Sequence, residues 1–189
     1  MAGKSLFTIV SYNEASPEVQ KIYDETKKEL GIPFVLNWFK CQGNNAILLR
    51  GNWEKLRSTL IMGNVPNLVK QLIIYNVSSK RKCEYCATAH AIFANMMGKA
   101  IGGNDFIITE NLDSDIIPVS YKTALRVVTK GALHPETIGQ EDFDELYEAG
   151  FDSGEIQELM AQADLVNMLN TIADISGIKV DNELLEIEV

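Results

Sequence analysis

Apolar residues in this chain recur at intervals of three and four rather than in alternation, and the runs break at glycine and proline. Ser16-Pro17-Glu18 has the form of a helix opening: a cap residue, a proline at the first helical position and an early acid. Val19, Ile22, Tyr23 and Leu30 follow at helical spacing, and Gly31 closes that helix before Pro33. Asn44-Asn45 leads into a predicted helix over 46–62, with Leu48, Leu49, Trp53, Leu56 and Leu60 as its apolar residues and Gly63-Asn64 as its stop. Pro66 opens the next, through Ser79, and a further helix begins near Cys83 and ends at Gly98. Residues 102–117 show no clean period and read as an irregular loop or a short helix around Phe106. Pro118 then opens a helix through Leu133, a short one covers 141–149, and Ser153 caps a long one over 154–175 that Gly177 stops. Alternation never lasts long enough for a strand. The pattern predicts one all-α domain, a helical bundle over 1–189, with 98–117 as a surface loop or else a hinge or flap.

Charge and cysteine usage narrow the functional classes. With 189 residues the chain is long enough to bury a core without disulfide staples. Its net charge of -9 argues against nucleic acid or an anionic membrane as a partner, since phosphate is held by Lys and Arg. No apolar run approaches the ~20 residues that span a bilayer. Residues 1–16 lack a secretory pattern, and three cysteines, an odd count with two of them close together, suit a reducing compartment. A cytoplasmic protein is expected, with export by a route outside the general secretory pathway left open. The acidic tail, residues 181–189, is expected to be a solvated end or an oligomer contact.

The candidate chemistry lies in Cys83-Glu84-Tyr85-Cys86-Ala87-Thr88-Ala89-His90. On a helix starting near Cys83, the two thiols and the imidazole fall at i, i+3 and i+7 on one face. Two thiols that can close a disulfide, beside a titratable group, are the minimum for dithiol redox chemistry. The helix N-terminus and Lys80-Arg81-Lys82 are both expected to favour thiolate over thiol. The rival readings are plainer. Cysteine often packs as a small hydrophobe, which is the reading for Cys41. Zinc would need a fourth ligand, yet the one other histidine, His134, is remote and there is no second C-x-x-C. No metal or cofactor is therefore expected. Glu84 reads as a solvated first-turn acid. There is no phosphate loop and no nucleophile elbow. Met96-Met97, Trp38-Phe39 and Trp53 read as core or subunit contacts, some of them lining an apolar pocket over the cysteines. Arg50, Arg57 and Arg126 read as solvated cations, with orientation of an anionic substrate as the alternative.

With its flanking segments, this motif resembles the alkyl hydroperoxidase D-like proteins of the carboxymuconolactone decarboxylase superfamily, in the peroxidase-related branch. The resemblance runs through Glu14-Ala15-Ser16-Pro17-Glu18-Val19 with Leu30-Gly31-Ile32-Pro33, Gln71 to Ser78, the cysteine motif, and Tyr147 to Phe151 followed by Asn167 and Asn170. It implies an all-helical fold assembling as trimers or hexamers. It also implies an antioxidant thiol-disulfide oxidoreductase that reduces small organic peroxides through Cys83 and Cys86, with His90 as proton shuttle and a lipoyl or thioredoxin-like electron donor. Two positions depart from the pattern. The relay glutamate, twelve residues before the first cysteine, is Gln71 here, and the histidine before the second cysteine is Tyr85. An amide cannot titrate, and a phenol with a pKa near 10 is a poor base at neutral pH, so weak peroxidase activity is expected. The alternatives are a decarboxylase-type lyase, which would not need the C-x-x-C, and a non-catalytic oligomeric binding protein with vestigial thiols.

Overall fold

The computed structural model describes residues 5–187, and its helical array begins where Ser16 and Pro17 place it. Helix α1 (Pro17–Leu30) opens with the Ser16 hydroxyl accepting from the Val19 amide and closes on Gly31 in the left-handed region, at φ 69°. A single turn, α2 (Asn37–Lys40), leads to α3 (Ala46–Leu56), capped by the Asn45 side chain at the Leu48 amide. Helix α3 then widens without a break into a π-helical turn, Arg57–Ile61, whose Thr59 carbonyl accepts from the buried Gln162 side chain of a later helix. No strand occurs among the described residues.

Helix α4 (Asn67–Arg81) is the axis of the bundle. Leu72, Ile73, Ile74 and Val77 are all buried, and Lys70, Gln71 and Ser78 are buried with them, so this helix is enclosed by its neighbours on most sides. Burial of each such side chain contributes about 1.5–3 kcal/mol. It packs against α5 (Glu84–Gly102), α6 (Val119–Leu133) and α8 (Ser153–Ser176), with α7 (Gln140–Glu148) on the flank of α6. Lys70 is fully buried in this core. Its ammonium meets the Met62 carbonyl and the Glu158 carboxylate, and Glu158 also accepts from the amides of Asn64 and Val65. The α3–α4 connection is thereby tied to α8. Gly63 is favoured there because φ 98° lies where L side chains are strained, and a Cβ would also push the Glu158 carboxylate out of place.

Several expected boundaries move. Helix α5 continues past Gly98 to Gly102. Gly98 is a close-packing glycine, not a stop: a Cβ on it would lie 2.9 Å from the Ile108 side chain. Phe106 is not helical, and the short turn lies instead at Ile108–Glu110. The middle of the 98–117 segment is pinned, with Ile108 fully buried and the Thr109 amide and hydroxyl both donating to Asn95 Oδ1. Asp152, not Ser153, caps α8, in a reciprocal box with Glu155.

The tail is solvated only in part as far as it is described. A final turn, α9 (Asn182–Leu185), buries Leu184 completely, and Asp181 is 1% exposed; residues 188 and 189 lie outside the described residues. Arg50 pairs with Glu25, Arg57 with Glu29 and Arg126 with Glu145. Among the described residues, no helix is long and apolar enough to cross a membrane.

Candidate dithiol site

Helices α4 and α5 meet across two residues. Lys82 takes the left-handed conformation at φ 59°, and the amide of Cys83 donates to the Ser78 carbonyl at 3.0 Å. A lysine there costs on the order of 1–2 kcal/mol in backbone strain. That sharp reversal makes Cys83 the cap residue of α5 and puts Cys86 in its first turn. All three cysteines are free and buried.

The two sulfurs face different surroundings. The Cys83 thiol points toward the Asn170 carbonyl, 3.9 Å away on α8, and lies against the Ser78–Asn170 pair, where the Ser78 hydroxyl donates to Asn170 Oδ1 at 2.8 Å. The Asn170 side-chain nitrogen is buried beside this pair without a partner. Cys86 instead forms part of the wall of a cavity of about 110 Å³. Its polar wall consists of Tyr85, Cys86 and His90 from α5, Gln71 and Asn67 from α4, and Glu29 from α1. The apolar wall includes Trp38 and Phe39, Leu60 and Ile61 of the π-helical turn, and Phe93 and Met97.

Within the cavity, His90 Nδ1 and Gln71 Oε1 are 2.6 Å apart. Burial lowers the His90 pKa to about 3, so the imidazole is neutral near pH 7. The thiol of Cys86 is pushed well above its usual range. The largest cause is its hydrogen bond with Cys83, followed by loss of water; Asp174 adds to it, and Arg81 pulls weakly the other way. The expectation that the helix N-terminus and Lys80-Arg81-Lys82 favour thiolate therefore fails for Cys86. The three cations are solvent-exposed, and desolvation with a second sulfur outweighs them.

Tyr85 is a strut between the cysteines and the tail. Its hydroxyl donates to Asp181 Oδ2 at 2.8 Å and accepts from the Trp38 amide at 3.2 Å, while Asp181 Oδ1 accepts from the Asn37 amide at 2.8 Å. Burial, and then the Asp181 charge, push the Tyr85 phenol well above its usual value. Asp181 is the residue that sequence reasoning missed, and an acid in an acidic tail gave no local signal of it. Asn67 lies in the cavity wall, whereas Tyr75 turns away to donate to the Thr109 carbonyl. Glu84 is exposed, and Trp53 is core. Cys41 is buried with its thiol raised to about 11, chiefly by desolvation, and donates to the Trp38 carbonyl. No cluster able to hold a metal occurs among the described residues.

No family model matches the chain. Among curated proteins it is similar to an alkyl hydroperoxide reductase of Mycobacterium tuberculosis, 29% identical over 91 residues, which cover 48% of this chain and 26% of that protein. Among solved structures it matches a peroxidase-related protein with an alkylhydroperoxidase AhpD core from Ralstonia eutropha, with a TM-score of 0.82 and 19% identity over 97% of this chain and 96% of the other. A peroxidase-related protein from Silicibacter gives 0.78 and 20% over 97% and 98%. The debrominase Bmp8, as a cysteine variant in complex with 2,3,4-tribromopyrrole, gives 0.76 and 20% over 96% of each chain. The chain has the fold of these alkylhydroperoxidase AhpD-core, peroxidase-related proteins.

Proposed function

We propose that the chain is a dithiol oxidoreductase that reduces small organic hydroperoxides, with Cys86 attacking, Cys83 resolving and His90 carrying the proton. One observation supports this most: of the two adjacent sulfurs, Cys86 alone lines an apolar cavity, and His90 lines the same cavity. The Cys86 sulfur attacks the outer peroxide oxygen, the O–O bond breaks, and the alkoxide leaves as alcohol after taking a proton. Cys86 is then a sulfenic acid. The Cys83 sulfur displaces its oxygen as water and closes a disulfide, so two thiols lose two electrons to one peroxide. An external dithiol of lipoyl or thioredoxin type returns them. A cytoplasmic homo-oligomer, trimer or hexamer, is the proposed working form.

His90 has an amide, Gln71, where a carboxylate would titrate, and the Glu29 carboxylate of the same cavity is paired with Arg57. With Gln71 Oε1 accepting, the His90 proton sits on Nδ1 and Nε2 is left as the acceptor. A histidine with a pKa of about 3 is a weak base, and Cys86 holds its proton, so the reaction is slow near neutrality. The test treats reduced protein with one equivalent of cumene hydroperoxide and maps the cysteines by mass. One Cys83–Cys86 disulfide per peroxide consumed is expected; unchanged thiols with intact peroxide would refute the reading.

A second reading uses the same dithiol on a halogenated arene. The rings of Trp38, Phe39 and Phe93 give the cavity walls suited to a small planar ligand, and the similar debrominase was crystallised with a tribromopyrrole. There the dithiol would become a disulfide as carbon–bromine is replaced by carbon–hydrogen and bromide leaves. Bromide release from tribromopyrrole, stoichiometric with disulfide, would favour this reading over the first.

A further inference from the structure

The face of α5 that carries Cys86 and His90 continues outward through Phe93 and Met97, at successive spacings of four, three and four residues. Phe93, Met97 and Leu30 belong to two spaces at once. On their inner side is the thiol cavity, and on their outer side is a surface groove of about 730 Å³ floored by Ile32, Pro33, Phe34 and Met96. Among the described residues, the only ionisable groups along this groove are the exposed carboxylates of Glu183 and Glu186, and no Lys or Arg lines it. The one carboxylate of the inner cavity, Glu29, is paired with Arg57.

We propose that this groove is the binding site for the tail of an elongated, uncharged hydroperoxide, whose reactive end passes Phe93 and Met97 to reach Cys86. The inference rests on the hydroperoxide reading above and adds a substrate class to it. A cavity of about 110 Å³ holds only a small head, so a longer molecule must leave it on the side where its wall is shared with the groove. The groove floor is apolar and rewards an alkyl or aryl chain by about 0.8 kcal/mol per buried methylene. Glu183 and Glu186 repel a carboxylate end, as does the overall charge of -9. Fatty acid hydroperoxides are therefore poor substrates, and their esters good ones.

The experiment compares linoleic acid hydroperoxide with its methyl ester, which have the same chain and differ in one charge, against tert-butyl hydroperoxide as a compact reference. At low salt the ester is expected to exceed the acid about tenfold in kcat/KM, a gap that narrows as salt screens it. Glu183→Gln with Glu186→Gln is expected to close the gap to within about twofold by raising the acid. Met96→Glu is expected to lower the ester at least fivefold more than it lowers the compact peroxide. Equal rates for acid and ester, or a gap that the glutamine variants leave intact, would overturn the groove proposal while compact-peroxide turnover keeps the hydroperoxide reading. If no peroxide is consumed at all, the hydroperoxide reading falls. The groove is then judged by binding of unoxidised methyl linoleate against linoleate, read from Trp38 emission: tighter ester binding that the glutamine variants equalise upholds it, and equal binding overturns it. Met96→Glu that breaks an oligomer without changing the ester-to-acid ratio would make the groove a subunit contact and would also overturn it.

Discussion

Cys41 and Cys86 are both free, both buried and both raised above the ordinary thiol range, yet their surroundings differ in every respect that chemistry needs. Cys41 ends α2 and donates a hydrogen bond to the Trp38 carbonyl. Cys86 has a second cysteine three residues before it, an imidazole in the same cavity wall and an apolar space in front of it. Burial alone therefore does not mark a reactive thiol. A partner that can close a disulfide, and a space that admits a substrate, are what separate the two.

The largest effect that separates them is removal of the sulfur. Cys86→Ser is expected to lower hydroperoxide consumption by a factor on the order of 10³ or more, whereas Cys41→Ser changes it less than twofold; stopped-flow peroxide loss reads both. Next is the missing relay. Gln71→Glu places a carboxylate 2.6 Å from His90 Nδ1, holds the imidazolium and gives Cys86 a proton acceptor, so turnover near pH 7 is expected to rise by about 10². No gain would mean that proton removal is not what slows this site.

Titration sharpens the comparison through stability. His90 is neutral in the folded protein down to about pH 3, while an unfolded histidine takes a proton near 6.5. Its contribution is thus fully present above pH 6.5 and is lost as pH falls toward 3, by about 1.4 kcal/mol per unit. His90→Phe should flatten that limb in urea melts. Cys41 gives the opposite slope: its contribution is present below pH ~9 and is lost as pH rises to about 11, and Cys41→Ser should remove it.

Smaller effects come from the supports of the cysteine turn. Asp181→Asn leaves a hydrogen bond to Tyr85 or Asn37 poorly made and is expected to destabilise by about 1–2 kcal/mol. Lys82→Gly relieves the left-handed strain and is expected to stabilise by about 1 kcal/mol, read from the same melts.

The helix starts were legible because Ser16, Asn45, Pro66 and Pro118 act on their own neighbours. The placing of Cys86 and His90 along one helix face was legible for the same reason, but Cys83, expected on that face, is the extended cap residue and turns to Asn170 instead. Features decided by distant residues were not. Gly98 looked like a stop because nothing in its flanks reveals Ile108 packed on it. Lys82 gave no hint of left-handed backbone, since glycine is the usual signal there. Asp181 in an acidic tail looked solvated until Tyr85 and Asn37 were seen to close over it. The direction of the Cys86 shift was misread because charge can be counted along a sequence, while loss of water depends on what α2, α4 and α8 bring around the sulfur.

The most direct test is the pH dependence of the reaction between Cys86 and cumene hydroperoxide, followed residue by residue with mass-resolved alkylation. A Cys86 that keeps its proton in a cavity without a charged relay should react about tenfold faster per pH unit from 6 to 9, ending in a disulfide with Cys83. A rate already flat across neutral pH, or first oxidation at Cys83, would contradict the account.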